Sequence, residues 1–297
     1  MKIIIDTDIG DDIDDAFAIR LALNTPQLEI LGITTTFRNA VKRGKIVKAL
    51  LAACGKDLPV YAGEDRPVKQ EICKLTYEDE IGLDDDGTVT VPHYSEEFKN
   101  YEIESGGVEF ILEQAAKYPG EVVLVCIGPL TNAARAIGKD AETFKKLKGL
   151  VMMGGQANGD YAEWNFRCDP EAAQITFASD IPIRMVGINV TKYCKLTERE
   201  IALAAGDKSA AGKMLNKMLQ KWLKENRYRK EPVMHDGLAV AELTESFCEY
   251  VTRPVGVSTE EGKRGMLCAG GNPAQIAVSV QAEKFIGYLF DRLRRNV

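Results

Sequence analysis

Short apolar runs alternate with stretches of helical spacing along most of the chain. Lys2 to Asp6 holds three consecutive isoleucines and ends in polar residues, the pattern of a strand buried on both faces. Asp14 to Leu23 sets Phe17, Ile19, Leu21 and Leu23 among alanines, which predicts a helix. Leu28 to Thr36 is rich in β-branched residues and reads as a strand, and Asn39 to Cys54 returns to helix. Further strands are predicted at Val122 to Ile127, Gly149 to Met153 and Ile183 to Val186. Helices are predicted at Leu130 to Ala136, Pro170 to Ala178 and Glu198 to Ala205. Short apolar strands separated by helical crossovers predict an α/β fold, a mostly parallel sheet with helices on both faces.

Two segments interrupt this rhythm. Glu64 to Glu104 is polar and acidic, with Glu78-Asp79-Glu80 and Asp84-Asp85-Asp86-Gly87, and is too long for a simple connection. It reads as a flap or an excursion. Lys208 to Lys230 is basic, with Met214, Leu215, Met218, Leu219 and Trp222 at helical spacing. A peripheral helix with a solvated face is the plain reading, and a lid beside a site is the alternative. No repeat, low-complexity tract or clear linker appears, so residues 1–297 are expected to form one domain.

Composition narrows the function. Apolar residues make up 45% and charged residues 28%, ordinary globular values that exclude global disorder. Lys and Arg number 38 against 44 Asp and Glu, a net charge of −6, which argues against nucleic acid as a partner. No apolar run reaches the roughly 20 residues of a membrane span, so no membrane partner is expected. The start, Met1-Lys2-Ile3-Ile4-Ile5-Asp6, turns acidic too soon for a signal peptide. The seven cysteines contain no C-x-x-C pair, which points to reduced thiols in a cytoplasmic protein. With two histidines, His93 and His235, a histidine-rich metal site is not available, whereas a hard cation held by oxygen ligands is.

The strongest chemical signal is Asp6-Thr7-Asp8-Ile9-Gly10-Asp11-Asp12-Ile13-Asp14-Asp15, with six carboxylates in ten residues. It lies between the first strand and the first helix, where open parallel sheets place ligands. Helix capping accounts for one or two of these groups, not six. Carboxylates this dense repel one another unless a cation, protons or solvent relieves them, and a divalent cation fits best. The glycine and glutamate of an EF-hand loop are not in place, and zinc lacks its nitrogen and sulfur ligands. Asp8 and Asp15, seven apart across a turn, can aim at one ion.

This run resembles the aspartate signature of the inosine-uridine-preferring nucleoside hydrolases, whose usual form is D-T-D-P-G-x-D-D-A. Here Ile9 replaces the proline, and two extra residues precede the final Asp14-Asp15-Ala16. Four later stretches are similar to the family in the same order. They are Leu31 to Asn39, Gly128-Pro129-Leu130-Thr131-Asn132, Met153-Gly154-Gly155 with Ala162-Glu163-Trp164-Asn165, and His235-Asp236 with Leu238-Ala239, where Gly237 stands for the usual proline. The resemblance implies a Rossmann-like, mostly parallel sheet with the site at the strand C-terminal ends. It implies hydrolysis of the N-glycosidic bond of ribonucleosides, with Ca2+ as cofactor, in a homodimer or homotetramer.

The same resemblance implies roles for single residues. Asp8, Asp15, Asp236 and the Ile127 carbonyl would hold calcium, with Asp6 in direct ligation or in support. Asp8 would also be the general base toward water, and His235 would assist the departing base as an acid. Asn39, Glu163, Asn165 and Asp14 would contact the ribose hydroxyls, with Asp12 an alternative to Asp14. Asn158 or Asp160 would line the same pocket, and Tyr228 is a base contact or a packed surface residue. His93 receives no role. Two rival readings are a haloacid-dehalogenase-like phosphatase, from the D-x-D of Asp6 and Asp8, and a ribose or nucleoside sensor without catalysis.

Overall fold

The structure is a computed structural model that describes residues 1–69, 87–226 and 231–295. Its centre is β1 (Lys2–Thr7), whose isoleucines alternate between two cores. Ile3 and Ile5 face the core that contains Phe17, Ile46, Leu219, Leu238 and Phe285, while Ile4 faces the one that contains Phe110, Leu124 and Phe144. A strand with helices on both sides has no solvated face, and its sequence is accordingly apolar without polar alternation.

Nine described strands form one sheet. β1 is followed by β2 (Glu29–Thr35), β3 (Val60–Ala62), β4 (Glu104–Ser105), β5 (Val122–Cys126), β6 (Gly149–Met153), β7 (Ile183–Val186), β8 (Cys248–Val257) and β9 (Leu267–Val280). Their spatial order is β4-β3-β2-β1-β5-β6-β7-β9-β8. All pairings are parallel except that between β8 and β9 at one edge. The chain runs outward from β1 to β4, then returns to β5 on the other side of β1. The order therefore reverses between β1 and β5, and such a reversal opens a crevice at the strand C-terminal ends. Asp6 stands beside Thr34 on one side and Cys126 on the other, one residue before that crevice.

The helices that matter for the site start at this end. They are α1 (Asp14–Leu23), α2 (Ala40–Ala53), α3 (Gly107–Lys117), α4 (Thr131–Phe144), α5 (Trp164–Cys168), α6 (Pro170–Phe177) and α7 (Ile188–Thr191). α8 (Glu198–Gly206), α9 (Ala210–Glu225), α10 (His235–Ala241) and α11 (Ala282–Leu293) complete the set. α9 buries Leu215, Met218, Leu219 and Trp222 in the core, so it is a packed peripheral helix. Of the acidic excursion, residues 64–69 and 87–104 are described: Val91 packs on Gly10, and His93 N–H donates to the Gly10 carbonyl at 2.9 Å. Its acidic clusters at 78–80 and 84–86, with Cys73 and Tyr228, lie outside the described residues. The other six cysteines are free thiols. No described helix is long and apolar enough to cross a membrane.

Candidate active site

The crevice is lined first by the β1–α1 loop. Asp6 is fully buried, and its Oδ1 accepts from Thr34 Oγ1 at 2.6 Å and Asn132 Nδ2 at 2.7 Å. Its Oδ2 is buried with no partner. Thr7 Oγ1 donates to Asp15 Oδ1 and accepts from Ile9 N at 3.1 Å, which ties the strand end to the helix start. Asp14 and Asp15 sit in the first turn of α1, after an N-cap position held by Ile13. Asp236 sits in the first turn of α10, after Met234, so neither helix is capped by these aspartates. The two helices pack against each other, and Asp236 N–H donates to Asp14 Oδ2 at 3.2 Å. One carboxylate oxygen from each of Asp14, Asp15 and Asp236 lies within 4.8 Å of the others, and all three residues are buried.

Burial dominates the electrostatics of this group. It pushes Asp6 and Asp8 up to about 7, and for Asp8 the Arg43 guanidinium opposes the shift. Asp14, Asp15 and Asp236 are raised well above the usual carboxylate range by burial, then by repulsion from neighbouring aspartates. The macrodipoles of α1 and α10 favour negative charge here, but a dipole end contributes only about 0.3–2 kcal/mol. Three converging carboxylate oxygens, forming a group without a nitrogen or sulfur member, and a buried unpartnered Asp6 oxygen on the adjoining strand fit a hard divalent cation. The tight trio includes Asp14, which was expected on the sugar. Asp8 stands outside the trio but within electrostatic reach of all three members.

The opposite wall comes from β5 and β6. Asn165 Nδ2 spans the two strand ends, donating to the carbonyls of Ile127 at 3.3 Å and Met153 at 3.2 Å. The Ile127 carbonyl, just past the end of β5, is thus engaged by Asn165, and a carbonyl oxygen keeps a second lone pair for another partner. Glu163 caps α5: its carboxylate accepts from Gly155 N at 2.8 Å, Asn165 N at 3.0 Å and Phe166 N at 3.4 Å. Burial nevertheless raises Glu163 to about 7, and its charge reaches Asp8. Asn39 caps α2 through Lys42 N at 3.1 Å and donates to Val89 O at 3.3 Å. His235 opens α10, and its Nδ1 shares a 2.6 Å hydrogen bond with Thr191 Oγ1 at the end of α7, which orients the ring. Asn158 and Asp160 lie exposed on the 156–163 loop, and neither side chain is drawn into the carboxylate group.

A family profile for inosine-uridine preferring nucleoside hydrolases matches residues 3–287. The chain belongs to this family. A probable uridine nucleosidase 2 of Arabidopsis thaliana is 34% identical across 99% of this chain and 98% of its own length. A pyrimidine-specific ribonucleoside hydrolase RihB of Shigella sonnei is 31% identical over 88% of this chain and 81% of its own. Among solved structures, a plant nucleoside hydrolase, PpNRh1, superposes with a TM-score of 0.80 at 27% identity, covering 98% of each chain. A purine-preferring ribonucleoside hydrolase from Gardnerella vaginalis gives 0.79 at 27% identity, covering 99% of this chain and 98% of the other. This nucleoside hydrolase is therefore an enzyme, and the D-x-D phosphatase reading has no counterpart in these relatives.

Several residues that shape the hydrolase site were given no role of their own by the sequence, although Gly128 and Asn132 stand in one of the family-like stretches. Asn132 fixes both Asp6 and the Thr35 carbonyl, the latter at 3.1 Å, and receives Glu64 N at 2.8 Å. Asp169 caps α6 and accepts from Thr131 Oγ1 at 2.8 Å, holding the start of α4. Its signal was present in the Asp169-Pro170 pair, a helix cap followed by proline at the first turn. Gly128 is needed for a close approach: a Cβ there would lie 2.9 Å from both the backbone N and the Oδ1 of Asp8. Gly128→Ala is expected to push Asp8 aside and lower kcat by about 10²-fold while the fold survives, since misplacement of about 1 Å costs that much. Steady-state kinetics beside a thermal melt would check it, and an unchanged kcat would show that Asp8 does not need its place.

Proposed function

We propose that this nucleoside hydrolase cleaves ribonucleosides, uridine among them, in a reaction that depends on a bound calcium ion. The observation that carries the cation is the buried group of Asp14, Asp15 and Asp236, with the Asp8 charge in electrostatic reach; the family resemblance adds Asp8 and the Ile127 carbonyl as ligands. These residues would hold the ion. The chemistry such an ion supplies when bound is orientation of the sugar hydroxyls and acidification of water. The uridine and pyrimidine activities in the names of the curated relatives support uridine as the first substrate.

The chain's own groups divide the remaining work. Asp8, buried and near neutrality in its proton affinity, takes a proton from the water that attacks the anomeric carbon. The carboxylates around the ring favour the positive charge that develops on the sugar as the bond to the base breaks. Asn39, Asn165 and Glu163 each retain hydrogen-bonding capacity beyond their structural bonds and orient the ribose. His235, with Nδ1 engaged by Thr191, delivers a proton from Nε2 to the departing base. The products are ribose and free base. Homodimer or homotetramer assembly, supported by the family resemblance alone, and a cytoplasmic site of action, supported by the cysteine pattern, complete the reading. Incubation with inosine, uridine, cytidine and adenosine, with chromatography of the released base, tests it. Nucleoside binding without turnover of any of the four would replace the enzyme with a sensor.

The raised carboxylates give a stability prediction with a definite sign. In the unfolded chain these groups titrate near 4, whereas in the folded chain burial holds Asp6, Asp8 and Glu163 at about 7 and keeps the trio well above the usual carboxylate range. A raised carboxylate contributes stability that is fully present below its unfolded value and is lost as pH rises through the folded one. In chelator, the melting temperature is expected to fall as pH increases from 5 to about 8. Calcium should raise it, and more at pH 8 than at pH 5, because protons compete with the ion. A calcium effect that is flat with pH would place the ion away from these carboxylates.

A further inference from the structure

We infer that Arg43 is a positioning residue, a buried clamp that sets the Asp8 loop against the Asn39 loop. The inference rests on the reading of Asp8 as general base and Asn39 as sugar contact. Arg43 lies one turn into α2 and is completely buried. A guanidinium removed from water requires partners for its five donors. Nη1 donates to the carbonyl of Asp8 and, at 3.0 Å, to that of Ile9. Nη2 donates to Asp11 Oδ2 at 3.0 Å. Nε donates to the Phe37 carbonyl at 2.8 Å, two residues before Asn39. One side chain thus grips both loops that carry proposed catalytic groups, and its own backbone N–H returns to Asn39 O at 3.1 Å.

Both loops need such a grip. Phe37 and Arg38 hold left-handed backbone with φ of 76° and 58°, a conformation that non-glycine residues keep only when their surroundings impose it. Phe37 N and Arg38 N are pinned to Glu64 O at 2.8 Å and Asp65 O at 2.7 Å, and Arg43 holds the Phe37 carbonyl from the other side. On the β1–α1 side, Ile9 stands where the family signature has proline, so φ is not fixed by a ring. Its carbonyl is fixed by Arg43 instead. Asp11, one of the residues in the lengthened loop, supplies the carboxylate that meets the guanidinium. The clamp therefore acts on the stretch in which this chain departs from the signature.

The test uses Arg43→Met, Arg43→Lys and Asp11→Asn in the full chain, with uridine kinetics and thermal melts. Arg43→Met should lower kcat about 10²-fold with little change in KM, since misplaced reacting groups slow the chemical step more than binding. Arg43→Lys keeps the charge and a donor toward Asp8 and Ile9 but cannot also reach Phe37; it should recover about tenfold of the loss. Asp11→Asn should cost less than Arg43→Met, and the double variant should be no worse than Arg43→Met, because both act through one contact. If Arg43→Met does not fold, Arg43→Lys decides: a kcat reduced about tenfold in a folded protein supports the clamp. A wild-type kcat in either Arg43 variant overturns it, as does a loss confined to KM or one that only tracks the melting temperature. Asp8→Asn is assayed in parallel. If it is inactive while Arg43→Met is normal, the clamp alone fails; if it is fully active, the base assignment fails whatever Arg43 does.

Discussion

Replacing Asp8 with asparagine is expected to lower kcat/KM for uridine by about 10²–10⁴-fold, the usual contribution of a general base. The same change should spare the fold. Asp8 is buried, and that burial pushes its carboxylate up to about 7 against the attraction of Arg43, so removing its charge at pH 8 relieves a desolvation cost and repulsion with Asp11 and Asp15 that together outweigh the lost attraction. The melting temperature should therefore stay level or rise in chelator while activity collapses. Calcium affinity should weaken, because one oxygen beside the trio changes from anion to amide. The check is a set of three measurements on one preparation: kcat/KM, a melt in chelator and a calcium titration. If activity survives, Asp8 is not the base, and Asp12 and Asp14 become the carboxylates to replace next. If activity and melting temperature fall together, Asp8 holds the loop instead of reacting.

His235→Ala should separate sugar chemistry from base chemistry. His235 begins α10 immediately before Asp236, and Thr191 holds its Nδ1 at 2.6 Å. An imidazole that protonates the departing base matters only when that base leaves poorly. With uridine the variant should lose about 10²–10⁴-fold in kcat/KM. With a nitrophenyl riboside, whose leaving group needs no proton, the loss should be small. Asp8→Asn should suppress both substrates, because each needs the same activated water. An equal loss on both substrates in His235→Ala would move His235 to the ribose or to the support of Asp236. Thr191→Val offers a milder version of the same comparison, since it removes the bond that orients the ring without removing the ring.

The central strands and the first helices were legible because burial on both faces leaves a plain signature. Asp14–Leu23, Gly149–Met153 and Ile183–Val186 appear with the bounds that their apolar runs suggest. β8 and β9 were not legible. They form an exposed antiparallel ribbon at the sheet edge, and Pro254, Gly270, Gly271 and Pro273 interrupt any alternation. α4 runs on to Phe144, past the predicted Ala136, across a non-helical Asp140 whose side chain restarts the turn at Thr143 N, 3.0 Å away. For the site, the carboxylate cluster and its place at the end of β1 followed from sequence, but its internal grouping did not. Spacing along the chain paired Asp8 with Asp15, whereas the contact between α1 and α10 gathers Asp14, Asp15 and Asp236. Arg43 was hidden because a basic residue in a helix reads as solvated. Its signal was positional: it shares one face of α2 with Ile46, Val47 and Leu50, all buried.

The central claim is that hydrolysis depends on a cation held by this carboxylate group. The most direct measurement is the initial rate of uracil release from uridine by the wild-type protein, first after treatment with a chelator and then after calcium is restored. Elemental analysis of the treated sample fixes the metal content. The account predicts that the rate falls to background when the metal is removed and returns in proportion to the calcium bound, reaching its full value at one ion per chain. An undiminished rate in protein shown to be free of metal would contradict it.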